Sequence, residues 1–110
     1  MSYLGKNAVH AWLNYHGINN TIRDDHNVSS VTDNGTGIFT VNFTDAFADG
    51  NYCAVAIPSR SDTSEFLRHV SYTNGDTYST GSFKFRCIKD SDVNGFDRPY
   101  NFIAFIGSDV

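Results

Sequence analysis

Val28-Ser29-Ser30-Val31-Thr32-Asp33-Asn34-Gly35-Thr36-Gly37-Ile38-Phe39-Thr40-Val41-Asn42-Phe43 reads as a β-hairpin. Two runs of strand formers flank Asp33 to Gly37, whose Asn-Gly pair tolerates positive φ and closes hairpins. In the second run Phe39, Val41 and Phe43 alternate with Ile38, Thr40 and Asn42, the period of a strand with one buried face. The same grammar extends in both directions. Upstream, Ala8 to Tyr15 stops at His16-Gly17 and another run begins near Thr21-Ile22-Arg23. Downstream come Asn51 to Ile57, ended by Pro58, then Phe66 to Thr73, Ser82 to Ile88 and Tyr100 to Ile106, with turn-forming residues between them. Seven or eight short strands so spaced predict an all-β, antiparallel β-sandwich of jelly-roll-like type.

Composition agrees with that reading. Val, Ile and Thr number twenty-four against five for Leu, Met, Glu and Gln, so strand formers dominate. At 110 residues the chain fits one domain, 1–110, without room for a second independent core. Aromatics at 15% and charges at only 18% argue for a packed interior rather than disorder. With three lysines and a formal charge of −4, the chain has little with which to neutralise phosphates, so neither nucleic acid nor an anionic membrane is an expected partner. No stretch reaches the roughly 18 apolar residues of a membrane helix, and Met1 to Asn7 lacks the apolar region of a signal peptide. A soluble protein made without export is therefore expected. Cys53 and Cys87 both fall in strand runs and are expected as two buried free thiols, with one disulfide as the alternative.

Two strands break the one-face rule. Cys53-Ala54-Val55-Ala56-Ile57 and Phe102-Ile103-Ala104-Phe105-Ile106 are apolar at consecutive positions, so both of their faces need cover. An antiparallel sandwich of this size wets one face of each sheet. The expectation is that another subunit covers the outer face of one sheet; the alternative is cover by the chain's own loops.

Signatures of catalysis are sparse. There is no Gly-x-Ser-x-Gly, no Cys-His signature and no phosphate-cradling glycine loop, and Glu65 is the only glutamate. Eleven aspartates could still supply a glycosidase pair, but most sit where turns use Asp to bind backbone amides. The chain is not expected to be an enzyme, nor to need a cofactor. His10 and His16 share a strand face with Trp12 and Asn14 but lie about 20 Å apart along it, so they cannot hold one metal ion within a chain. One histidine from each of three chains on a three-fold axis could, yet ordinary surface or interface roles are expected for these and for His26 and His69. Asp90-Ser91-Asp92-Val93-Asn94-Gly95 matches the first half of a calcium loop, but the position of the closing glutamate falls on Asn101. A solvated turn is the expected role there, and no metal site is assigned. Asn19, Asn27, Asn34 and Asn42 each open an Asn-x-Ser/Thr triplet, which carries little weight without a signal peptide.

The longer loops Ser59 to Ser64, Asn74 to Gly81 and Lys89 to Pro99 combine Asp, Asn, Ser and Arg with Tyr78 and Phe96. Aromatic faces stack on the apolar side of a sugar ring, and carboxylates or guanidinium groups bond its hydroxyls. Arg60, Asp62, Asp76, Tyr78, Phe96 and Arg98 are accordingly the candidate ligand-binding residues, on loops of a rigid scaffold.

Ala11-Trp12-Leu13-Asn14-Tyr15, Thr21-Ile22-Arg23-Asp24, the hairpin from Asn27 to Gly37 and Thr40-Val41-Asn42-Phe43-Thr44 together resemble the C-terminal domain of tailed-bacteriophage tail-fibre proteins. In that family an Ala-Trp-Val-Asn-Phe segment precedes a Val-Ser-Ser-Ile-Thr-Asp-Asn-Gly-Thr-Gly hairpin and an Asn-Phe-Thr strand. Asp49-Gly50-Asn51-Tyr52 and the ending Ile103-Ala104-Phe105-Ile106-Gly107 look similar too, whereas Pro58 to Pro99 shows no likeness beyond alternation. The resemblance implies a homotrimeric receptor-binding sandwich at a fibre tip, in the virion and assembled in the host cytoplasm. Its implied partner is a host-surface structure, often a polysaccharide, or a protein. The alternative expectation is a structural capping or decoration protein contacting only other virion proteins. Because Met1 lies just before the first motif, the chain is expected to be either an excised tip or a short stand-alone virion protein.

Overall fold

A computed structural model describes residues 9–58, 68–71, 79–89 and 100–107. They form eight strands: β1 (Val9–His16), β2 (Thr21–His26), β3 (Val28–Gly35), β4 (Ile38–Phe43), β5 (Cys53–Pro58), β6 (Arg68–Ser71), β7 (Ser82–Lys89) and β8 (Asn101–Ile106). One sheet has the order β2-β1-β8-β5 and the other β3-β4-β7-β6, and every pairing is antiparallel. The protein is an all-β sandwich. The first and last strands lie side by side and β4 pairs with β7, but β5 pairs with β8, so the strand order is not that of a jelly roll, in which β2 would pair with β7 and β3 with β6.

The predicted hairpin from Val28 to Phe43 is β3–β4, with its turn shifted. Asn34 and Gly35 still belong to β3, and the chain reverses at Thr36-Gly37, with Gly37 at φ 72°. Pairing passes from Asp33↔Phe39 to Gly35↔Ile38, so Asn34 is an extra residue without a partner across the ladder.

Alternation decides what goes inside. Ala11, Leu13 and Tyr15 of β1 and Ile103 and Phe105 of β8 face Phe39, Val41 and Phe43 of β4 and Phe83, Phe85 and Cys87 of β7, all of them buried. The interior is largely aromatic. Phe43 meets Phe105 edge-on at 4.9 Å, Phe83 meets Phe105 at 5.4 Å, and Tyr15 meets Phe39 at 5.0 Å, geometries that favour the ring quadrupoles.

Phe47 joins this core from the segment expected to be a turn. It stacks on Tyr52 with ring centroids 4.1 Å apart, closing one end of the sandwich, and Gly107 lies against the Phe47 ring and the Tyr52 Cβ. The Tyr52 hydroxyl donates to the Ser79 carbonyl at 2.8 Å, tying that end to the segment before β7.

At the other end, buried Asn101 accepts from the Cys87 thiol at 3.1 Å and donates through Nδ2 to the Tyr15 carbonyl at 3.2 Å, so the amide bridges the two sheets. Both cysteines are free. Cys87 is buried as expected, but Cys53 is exposed, which corrects the expectation of two buried thiols. In β5 it is Ala54 and Ala56 that pack against the core, so the odd-numbered residues Cys53, Val55 and Ile57 necessarily point outward.

Candidate functional site

The two strands that are apolar on both faces are neighbours in one sheet. Cys53 pairs with Ile106, Val55 with Ala104 and Ile57 with Phe102, and on the far side of β8 Ala104 pairs with Trp12 and Phe102 with Asn14. Their outward side chains therefore line up in rows across three strands, Trp12-Ala104-Val55 and Asn14-Phe102-Ile57.

The rows stay open to solvent: Trp12 is 38% exposed, Phe102 46%, Val55 54% and Ile57 64%. Between them runs a shallow groove of about 400 Å³ walled by Trp12, Val55, Ile57, Phe102 and Ala104, with Asn14 as its polar member. Scattered apolar residues on a surface need no explanation, but a contiguous apolar patch marks an interaction site.

The groove has a polar rim on the β2 side. Arg23 is the bulge residue between the pairs Asn14↔Asp24 and Tyr15↔Ile22. Its guanidinium lies 3.9 Å above the Tyr100 ring and reaches the Asn14 Oδ1 at 3.5 Å. Tyr100 in turn leans on Phe102 with centroids 5.8 Å apart. The cation–π contact holds the aromatic pair beside the groove and leaves Arg23 and Asp24 of β2 as the charged edge of an otherwise apolar face, Asp25 lying opposite inward-facing Leu13.

The outer face of the opposite sheet has a different chemistry. Thr40 pairs with Thr32 and Lys84, Asn42 with Ser30 and Ser82, and Ile38 with Arg86. Asn42 Nδ2 donates to Ser30 Oγ and to Thr32 Oγ1, each at 3.0 Å. Hydroxyls, amides and the half-buried Lys84 and Arg86 make that face polar apart from Ile38. The molecule thus presents one apolar and one polar broad surface.

Arg60, Asp62, Asp76, Tyr78, Phe96 and Arg98, and the calcium-like run Asp90 to Gly95, lie outside the described residues. His16 lies on the outward face of β1, but His10 is the bulge residue between Val9 and Ala11, so the two do not share one regular strand face as expected; the His10 ring packs on Phe47 at 4.4 Å, and the ring nitrogens of both serve neighbours. His10 Nε2 lies 2.9 Å from the Asp45 carbonyl, and His16 Nδ1 accepts from the Asn19 backbone at 3.1 Å. Among the described residues no cluster of three His, Cys, Asp or Glu groups could hold a metal ion, and no helix is long and apolar enough to cross a membrane.

No family model, curated protein or solved structure matches the chain. The tail-fibre resemblance therefore stands on the quoted residues alone. The longest run of them forms β1, β2, β3 and β4, the part of the sandwich that carries Trp12, Asn14 and Arg23.

The two doubly apolar strands are legible in the sequence, but their adjacency is not. Nor does the sequence single out Tyr100 and Arg23 as a pair, because their contact joins residues 77 positions apart and has no local signal.

Proposed function

We propose that the chain is a homotrimeric adhesin domain, the tip of a bacteriophage tail fibre or a related virion protein, which binds a bacterial surface polysaccharide. The observation that carries this reading is the exposed apolar face of β1, β8 and β5, on a sandwich whose opposite face is polar. A free-standing monomer gains nothing from keeping Trp12, Val55, Ile57 and Phe102 in water, whereas assembly of copies through that face buries them. Assembly in this sense turns the hydroxyl- and amide-rich sheet outward, toward solvent and any ligand. The tail-fibre resemblance supplies the order of the motifs and the receptor class; the apolar face follows separately, from alternation.

The test uses the purified full chain. Light scattering should give a mass near three times 12.2 kDa. In the trimer a thiol reagent should leave Cys53 unmodified until denaturant is added, although a single subunit exposes it. The same trimer should bind cells of the cognate host and a subset of a glycan array. A trimer that binds neither supports the second reading, a structural virion component, since the apolar face alone accounts for assembly. A 12.2 kDa monomer with a reactive Cys53 overturns the trimer.

A further inference from the structure

We propose that Asn34 is a self-modification site, at which the side-chain amide cyclises onto the Gly35 backbone nitrogen and hydrolyses to aspartate and isoaspartate. The reaction needs an attacking nitrogen, a base to take its proton and an acidic hydrogen that stabilises the oxygen of the attacked carbonyl. All three surround Asn34. The Gly35 N–H donates to Asp33 Oδ1 at 3.0 Å, which sets a carboxylate on the proton that must leave. The Thr40 hydroxyl donates to Asn34 Oδ1 at 2.5 Å, which places a donor on the oxygen where negative charge develops.

The backbone also permits the movement. Asn34 is the extra residue of the bulge, so cyclisation breaks no ladder pair at that position. Gly35, at φ 138°, brings no side chain against the forming ring, and the space where its Cβ would stand is empty. Asp33, Asn34 and Gly35 are all exposed, so water has access for the second step.

The step balances with water as the only co-reactant. Asp33 accepts the Gly35 amide proton, the nitrogen bonds to Asn34 Cγ, and the charge on Oδ1 is held by the Thr40 hydroxyl. The bond from Cγ to the side-chain nitrogen then breaks and ammonia departs with the proton, leaving a five-membered imide. Water opens the imide at either carbonyl. One product carries an ordinary aspartate at this position on the original backbone, and the other routes the main chain through the side-chain carbons. Each adds one negative charge beside Asp33, at the tip of the hairpin.

The chain carries its own controls, since Asn74-Gly75 and Asn94-Gly95 repeat the dipeptide. The full chain is aged at neutral pH, natively and in urea, and the amide-to-acid mass gain and isoaspartate content are followed at all three sites by peptide mapping. Native Asn34 should react several-fold faster than Asn34 in the urea-unfolded chain. Asp33→Asn, which keeps an acceptor for the Gly35 N–H but no base, and Thr40→Val should each slow it at least about tenfold, a conservative share of what a placed base or oxyanion donor contributes. The rates at Asn74 and Asn94 should not change in either variant, which separates lost catalysis from lost folding. Equal or slower reaction in the native chain, or a native rate untouched by both substitutions, would show that these hydrogen bonds only fasten the turn and would overturn the proposal.

Discussion

Replacing Val55 and Ile57 together by aspartate should dissolve the assembly and spare the fold. Both side chains point outward from β5, 54% and 64% exposed in the single subunit, so the pair should cost folding no more than about 1 kcal/mol. In an assembly that covers the face the balance is different. Complete burial of a Val or Ile side chain contributes about 1.5–3 kcal/mol, and roughly half of that, about 1 kcal/mol each, is still to be gained by the area exposed here. An unpaired carboxylate forced into the covered face costs several kcal/mol more. The sum is about 5 kcal/mol or more per interface, which weakens association at least about a thousandfold. Light scattering over a concentration series should therefore show the parent chain near three times 12.2 kDa and the double variant at 12.2 kDa, with matching far-ultraviolet circular dichroism. If the double variant keeps the parent's oligomeric mass, the face is not the interface. If the parent itself runs as a monomer, nothing in solution covers the face.

Ala54→Asp and Ala104→Asp should fail in different ways. Ala54 packs against the core, so its variant should be largely insoluble, whereas Ala104 lies on the outer rows between Trp12 and Val55, so its variant should be a soluble, folded monomer on a sizing column. Asn101→Ala should lower unfolding free energy by about 1–3 kcal/mol in a urea titration, because it removes the buried amide that bonds the Tyr15 carbonyl and the Cys87 thiol and joins the two sheets; a change below about 0.5 kcal/mol would show that the bridge contributes nothing. Gly107→Ala should cost about 1–3 kcal/mol in the same assay, since the new methyl would stand 2.7 Å from the Tyr52 Cβ and 3.0 Å from Phe47; an unchanged midpoint would mean that the stacked pair yields freely.

Local alternation in the chain carries most of this architecture. Phe39-Thr40-Val41-Asn42-Phe43 and Phe83-Lys84-Phe85-Arg86-Cys87 specify their buried faces residue by residue, because a slip of one would turn every aromatic into water. What alternation does not carry is adjacency. The pairings of β1 and β5 with β8 join residues far apart in sequence, so the rows Trp12-Ala104-Val55 and Asn14-Phe102-Ile57 cannot be read from any one segment. Phe47 is hidden for a related reason: Asp45 to Gly50 has the composition of a turn, and only Tyr52 and Gly107, brought near by the sandwich, make it a core residue. Cys53 misleads because an apolar run on both sides of a strand does not say which side is inward. The small Ala54 and Ala56 take the inward side, where neighbouring aromatic rings fill the space.

That inversion in β5 bears on function. A strand serving only its own core would place its large residues inward and its small ones outward, yet here the alanines pack on the core while Val55 and Ile57 face out. Such a strand loses burial as a monomer and recovers it only when a second surface meets its outer face. β2, at the opposite edge of the same sheet, carries Arg23-Asp24-Asp25 and a register shift, both features that discourage further contact. Among the described residues of this sheet, then, apolar surface increases from β2 toward β5, and a covering subunit should be centred on β8 and β5 rather than on the sheet as a whole. Trp12→Ala should consequently weaken assembly less than Phe102→Ala or Ile57→Ala, a ranking that sedimentation of the three variants can measure. The reverse order would move the contact to the β1–β2 side and detach it from the two strands whose sequence first called for a partner.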